Sequence, residues 1–266
     1  MTRTSNQDMS QNTKNRTMLY MRDTSISFPE LWMSVYISGP PIDAVGFPEM
    51  FARSRCYKAT TPENADLVVF TGGADVSPAL YTNQSVHKSV YSDVKRDEDD
   101  LKLYSQCYEQ GIPMFGVCRG AQFGHVMNGG ELYQDVDGHN GGNHNMYTID
   151  NSTIRVSSVH HQMCVENKQM DLLGWSNESR TRYVSGSMVE SGAQKDVEAF
   201  FYADSCFFGV QGHPEYKGNF SFAHWCLNQI QELIVNNPYV TVHKDRRLYR
   251  LQESFLAQRE NERKQA

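Results

Sequence analysis

Residues 116–122, G-V-C-R-G-A-Q, constrain this chain more than any other stretch. They follow the apolar run 112–117 and precede residues with helical spacing. A short apolar segment, a Gly-x-Cys-x-Gly turn and an amphipathic segment predict strand, sharp turn and helix, with Cys118 at the apex. Gly116 and Gly120 let the backbone turn tightly and approach its neighbours. A thiolate at the start of a helix is stabilised by the dipole and by unpaired N–H groups. The helix is expected over 119–128, stopping at Gly129-Gly130.

A cysteine nucleophile needs a base, and the base needs an orienting group. Residues 207–211 read as a strand, and His213, Pro214 and Glu215 follow it. On extended chain, residues two apart project to the same side, and Pro214 favours that geometry. His213 is then the candidate base and Glu215 the group that fixes its tautomer, a Cys-His-Glu triad.

These motifs resemble the class I glutamine amidotransferase superfamily, and within it the γ-glutamyl hydrolase-like branch, peptidase family C26. The resemblance is carried, in the family's order, by T-G-G-A-D-V-S-P-A-L-Y (71–81), Arg96-Asp97, G-V-C-R-G-A-Q, G-G-E-L-Y-Q-D (129–135), V-H-H-Q (159–162) and G-H-P-E (212–215), and it covers roughly residues 32–235. It implies a flavodoxin-like α/β fold and hydrolysis of a γ-glutamyl amide through a thioester on Cys118, with no cofactor. It assigns the oxyanion hole to the N–H groups of Gly73 and Arg119. Gly72, Gln122, His160, His161 and Gln162 become substrate-binding candidates, and Arg96 and Asp97 orient substrate or the glycine loop. The substrate is a small γ-glutamyl compound. If ammonia is the leaving group, a separate synthetase subunit is required; if a larger amine leaves, the protein works alone. A catalytically silent binding or regulatory protein on the same scaffold is the rival reading. Gly212 stands where amidotransferases often carry a bulkier residue, which predicts a wider pocket beside His213.

At 266 residues with a net charge of −6, the chain suits one large α/β domain and not a nucleic-acid-binding surface. No apolar run reaches membrane-span length and no apolar leader is visible, so the expected location is cytoplasmic. Six scattered cysteines argue for buried thiols, not a disulfide framework. Residues 1–17 read as a disordered tail, 18–238 as the domain, and 239–266 as a charged extension suited to a partner or homo-oligomer contact.

Strands are expected over 31–37, 66–71, 147–156, 157–165, 197–202 and 206–210. Helices are expected over 47–55, 93–109 and 220–235. Alternating strands and helices predict a doubly wound, mostly parallel sheet with a smaller antiparallel region and the site at the strands' C-terminal ends. Thr71-Gly72-Gly73 lies at such an end, either as a tight turn or, beside the elbow, as an N–H donor. Residues 138–145 read as a loop. Its His139 and His144, with His160 and His161, match no zinc spacing, so no metal is expected.

Overall fold

Leu67–Phe70 is buried at every position, as a strand covered on both faces must be. The computed structural model describes residues 27–82, 86–184 and 186–238. The expected tail at 1–17 and extension at 239–266 lie outside the described residues. In chain order the strands are β1 (Ser34–Ser38), β2 (Tyr57–Lys58), β3 (Leu67–Phe70), β4 (Met114–Val117), β5 (Leu132–Tyr133), β6 (Asn140–Thr148), β7 (Thr153–Val159), β8 (Met163–Cys164), β9 (Asp171–Ser176), β10 (Thr181–Val184), β11 (Ser187–Glu190), β12 (Asp196–Tyr202) and β13 (Phe207–Val210). The α-helices are α1 (Phe47–Ala52), α2 (Val94–Gln110), α3 (Arg119–Met127) and α4 (Phe220–Ile230).

Nine strands form one sheet in the order β2-β1-β3-β4-β13-β12-β9-β6-β7. From β2 to β13 every neighbour is parallel; from β13 to β7 every neighbour is antiparallel. The antiparallel region is therefore an extension of the main sheet. Two small pairs, β10–β11 and β5–β8, stand apart. Side chains alternate between the faces. Val35, Leu67, Val69, Phe115 and Phe208 pack with α1 and α4 on one side. Val68, Phe70, Met114 and Phe207 pack with α2 and α3 on the other. Helices on both faces make the sheet doubly wound.

α3 approaches the sheet closely because of a glycine. A Cβ at Gly124 would sit 1.8 Å from Cζ of Phe207. Glycine in a helix interior is otherwise unfavourable by about 1 kcal/mol relative to alanine, so close approach is its reason here. Gly124→Ala should destabilise the chain by about 1–3 kcal/mol through overpacking, seen as a lower urea midpoint; an unchanged or higher midpoint would show that α3 can back away freely.

Several boundaries differ from expectation. The polar segment 138–145 is mostly strand, since β6 starts at Asn140 and pairs with β7. Glycine and asparagine obscure the period of two there. The expected strand 147–156 spans a hairpin turn: Asn151 has φ 63°, and the Asp150 carboxylate accepts the Ser152 N–H at 3.0 Å, an Asx turn. The expected helix 220–235 changes to a π-helical turn over Gln231–Val235. All six cysteines are free thiols. Burial pushes the Cys164 and Cys226 thiols up, which leaves them inert. Among the described residues no helix is long and apolar enough to cross a membrane.

Candidate active site

The site is built where β4 ends between β3 and β13. Cys118 follows β4 directly with φ 52° and ψ −115°. A non-glycine residue in so sparse a region costs on the order of 1–3 kcal/mol and persists only where the surroundings fix it. They do so here. The Cys118 N–H donates to the Val210 carbonyl at 2.8 Å, and the Cys118 carbonyl accepts the Gln122 N–H at 3.0 Å. A Cβ at Gly120 would lie 2.1 Å from the Phe70 carbonyl oxygen, so the helix can start this close to β3 only with glycine. Cys118 occupies the N-cap of α3, at the positive end of the helix dipole. Its residue is 8% exposed, and that small exposed part lines a cavity of about 840 Å³.

His213 and Glu215 lie in the segment after β13. The His213 Nδ1 and Glu215 Oε1 are 2.7 Å apart. The geometry that joins them is not the extended one expected, because His213, Pro214 and Glu215 run into a turn in which the Tyr216 N–H reaches the His213 carbonyl. A turn lets the carboxylate fold back onto the ring of the residue two before it. The residue is fixed through both its backbone and its ring. Ser157 Oγ accepts its backbone N–H at 2.9 Å, Asn219 Nδ2 donates to its carbonyl at 2.7 Å, and Tyr216 stacks on it at 4.2 Å with planes 13° apart. Burial opposes a charge on His213, but its hydrogen bond and charge interaction with Cys118, then those with Glu215, outweigh this and raise its pKa to about 10. Those two partners therefore favour the imidazolium.

Gly72 and Gly73 face the same pair. A Cβ on Gly72 would come 3.1 Å from Cε1 of His213 and 3.8 Å from Cβ of Cys118. Gly73 has φ 141°, on the side of the map that glycine alone visits readily. The Arg119 N–H belongs to the first residue of α3 and has no carbonyl one turn earlier to bond. Behind this loop sits a buried group of four charges. Arg119 reaches Asp97 at 2.5 Å and also pairs with Asp100. Asp100 accepts Arg96 Nε at 2.9 Å, and Arg96 Nη2 donates to Thr71 Oγ1 at 3.0 Å. Arg96 thus braces the strand end that leads into Gly72-Gly73, and Asp97 caps the Ser77 N–H at 3.1 Å. Neither residue lines the cavity. Asp100 carries as much of this arrangement as the Arg-Asp pair and was hidden in a charged run.

Cys118, His213, Glu215, Gly72 and Gly73 line the cavity together; Gln122, His160, His161 and Gln162 stand outside its lining. Alternation along the end of β7 explains the displacement, since Val159 faces the cavity and is 47% exposed whereas His160 is turned inward. Gln122 braces the interior instead, donating to the Gln162 carbonyl at 2.8 Å. His161 sits between Asp75 and Asp135, 3.0 Å from each. The four histidines thus divide, with His139, His144 and His160 buried together and His161 partly buried between its two carboxylates. Gly212 is not what widens the pocket beside His213, since it does not line the cavity. A Cβ on Gly212 would press on the Ser157 carbonyl at 2.9 Å and on Phe222 at 3.0 Å, neither of which lines the cavity.

Comparison with known proteins finds relatives of this segment. YvdE of Lactococcus lactis, whose name describes it as glutamine amidotransferase-like, is 45% identical over 71 residues, which is 27% of this chain and 30% of that protein. The carbamoyl phosphate synthase small chain of Helicobacter acinonychis is 24% identical over 162 residues, 59% of this chain and 40% of its own length. The chain thus spans well under half of these relatives. A solved glutamine amidotransferase from Thermotoga maritima aligns with 80% of this chain and 89% of its own at 18% identity, with a TM-score of 0.49. The sequence profile of peptidase C26 matches residues 42–215, a span that runs from the cavity wall through the elbow to Glu215. The chain belongs to the peptidase C26 family of the class I glutamine amidotransferase superfamily.

Proposed function

We propose that this chain hydrolyses a γ-glutamyl amide with Cys118 as nucleophile, His213 as proton carrier and Glu215 as the group that orients it. The observation that carries this is the strained Cys118 turn opening on one cavity with the His213–Glu215 pair. The thiol gives its proton to His213 Nε2, since Nδ1 is committed to Glu215. Sulfur attacks the γ-carbonyl, and the Gly73 and Arg119 N–H groups stabilise the oxyanion. Collapse expels the amine with the proton from His213, and water then cleaves the γ-glutamyl thioester.

A cavity of about 840 Å³ falls in the range of sites for whole organic ligands and supports an amine larger than ammonia as leaving group. Similarity to the carbamoyl phosphate synthase small chain favours a second reading, a glutaminase that delivers ammonia to a separate synthetase subunit. Treatment with a glutamine-like diazoketone, mass spectrometry of the adduct, and product assays on glutamine and γ-glutamyl amines separate the two. Label on Cys118 with turnover of larger amines supports the hydrolase, and ammonia release from glutamine supports the second reading. Absence of label at Cys118 removes the self-sufficient hydrolase and leaves a site that a partner must assemble or a scaffold kept for binding.

His213→Asn should lower kcat/KM by about 10⁴-fold and Glu215→Gln by about 10²-fold, the span of general acid–base contributions. An unaffected rate in His213→Asn would exclude it as the base. Stability should follow the same group. Because the folded pKa of His213 is raised to about 10 from an unfolded value near 6.5, its contribution is full below pH 6.5 and lost as pH rises to 10. The Tm gap between wild type and Glu215→Gln should therefore narrow across that window; a gap that widens with pH contradicts the assignment.

A further inference from the structure

Behind the cavity, three buried side chains, from just before β6, just after β7 and on β12, come close together. His160 Nδ1 lies 3.0 Å from the Gln162 carbonyl. A carbonyl only accepts, so Nδ1 carries the hydrogen and Nε2 of the neutral ring is a bare acceptor. That Nε2 has no partner among the described residues, on a residue only 5% exposed. His139 repeats the pattern with its nitrogens exchanged. Its Nε2 faces the Asp196 carboxylate at 3.1 Å, so in the neutral ring Nδ1 is the acceptor, 3.6 Å from Glu198 Oε1. The neighbouring Ser158 hydroxyl, 3.2 Å away, has its one hydrogen on the His139 carbonyl at 2.8 Å and cannot serve that nitrogen. The third member is Glu198, 1% exposed, whose Oε1 takes His144 Nε2 at 2.6 Å and Ser176 Oγ at 2.9 Å. Its Oε2 has no partner among the described residues. One ligand atom from each of His139, His160 and Glu198 lies within 4.8 Å of the other two. The sheet is irregular on both sides of the cluster. β12 bulges at Glu198 against β9, and β6 slips against β7 between Asn140 and Asn143. Bulges re-aim side chains beside functional sites.

We infer that His139, His160 and Glu198 form a binding site for a divalent transition metal of the zinc class. Converging acceptors without donors need a positive occupant, and two imidazoles with one carboxylate suit Zn²⁺. The outer nitrogen of each histidine is already held by a carboxylate or a backbone carbonyl, as for metal-bound histidines in general. Bonds of about 2.0–2.2 Å require the three atoms to draw in by up to roughly 1 Å. The ion clips the start of β6, the end of β7 and β12 together behind His213, whose N–H rests on Ser157 of β7. Its role is to stiffen that wall, separate from the proposed chemistry.

The test uses the full chain carrying Cys118→Ser, so that thiolate binding at the cavity does not contribute. After chelator treatment and equilibrium dialysis against micromolar Zn²⁺, metal analysis should find one equivalent per chain. Co²⁺ should give the visible spectrum of tetrahedral nitrogen and oxygen coordination. Adding His160→Gln, or separately Glu198→Gln, should weaken binding roughly 100-fold or more. Binding of neither ion, or binding unchanged in both added variants, overturns the site. His160→Gln and Glu198→Gln are read separately, so whichever of them folds decides whether the ion sits at this cluster.

Discussion

Replacing Cys118 with serine should reduce turnover of any γ-glutamyl substrate by more than about 10⁴-fold while leaving the thermal transition within a few degrees of wild type. The proposed reaction requires a sulfur that yields its proton to His213, and a serine hydroxyl is far harder to ionise. The elbow itself stays intact, because its hydrogen bonds to Val210 and Gln122 are made by the backbone. Relative to free enzyme and substrate, 10⁴-fold is about 5.5 kcal/mol of transition-state stabilisation. Pre-steady-state assays with a chromogenic γ-glutamyl amide read the rate, and calorimetry reads the fold. Normal turnover in this variant would remove the mechanism; lost turnover with an unfolded chain would trace the defect to the turn.

The largest effect on stability is expected at Asp100, which stands outside the cavity lining. Its carboxylate is shared by Arg96 and Arg119 at 3% side-chain exposure. Asp100→Ala leaves two guanidinium groups in the interior with too few acceptors. Removing one partner of a buried ion pair costs about 3–5 kcal/mol, or very roughly 6–20 °C in Tm for a chain this size. Asp99→Ala, one residue earlier on the exposed face where Asp99 meets Lys95, should leave Tm essentially unchanged, as is usual for surface pairs. Equal effects at the two positions would contradict the account of the cluster. The Asp100 change should also lower kcat in whatever fraction stays folded, because Arg119 contributes its main chain to the proposed oxyanion hole and its side chain is anchored by Asp100.

What could be read from the sequence follows from how local each determinant is. The elbow was legible because it lies within seven residues and each glycine has a steric reason, which the Phe70 carbonyl beside Gly120 makes plain. L-V-V-F could be read as a buried strand for the same reason. The fourfold charge cluster was not legible, since a run such as Asp97 to Asp100 looks like a solvated helix face until Arg119 arrives from another element. β6 was hidden by glycine and asparagine, in a stretch whose strand pairing is imposed by β7 and not by propensity. The pairing of His213 with Glu215 was anticipated, but the turn that makes it was not, because proline favours extension in the residue before it and permits a turn after it. The histidines gave no spacing signal, because His139, His160 and Glu198 are separated by long intervals of chain and meet only across the sheet.

The cavity has two walls of different origin. The chemical wall comes from three distant stretches, around Gly72, Cys118 and His213, each locked to the sheet. Much of the remaining lining comes from one contiguous run that includes Ile42, Asp43, Val45, Pro48, Glu49, Met50 and Arg53. On the proposed chemistry, a chain laid out in this way separates what is cut from how it is cut. Exchanging the 42–53 segment between relatives should retune the preferred leaving amine in one step, and drift within that segment gives a lineage a short path to new substrates.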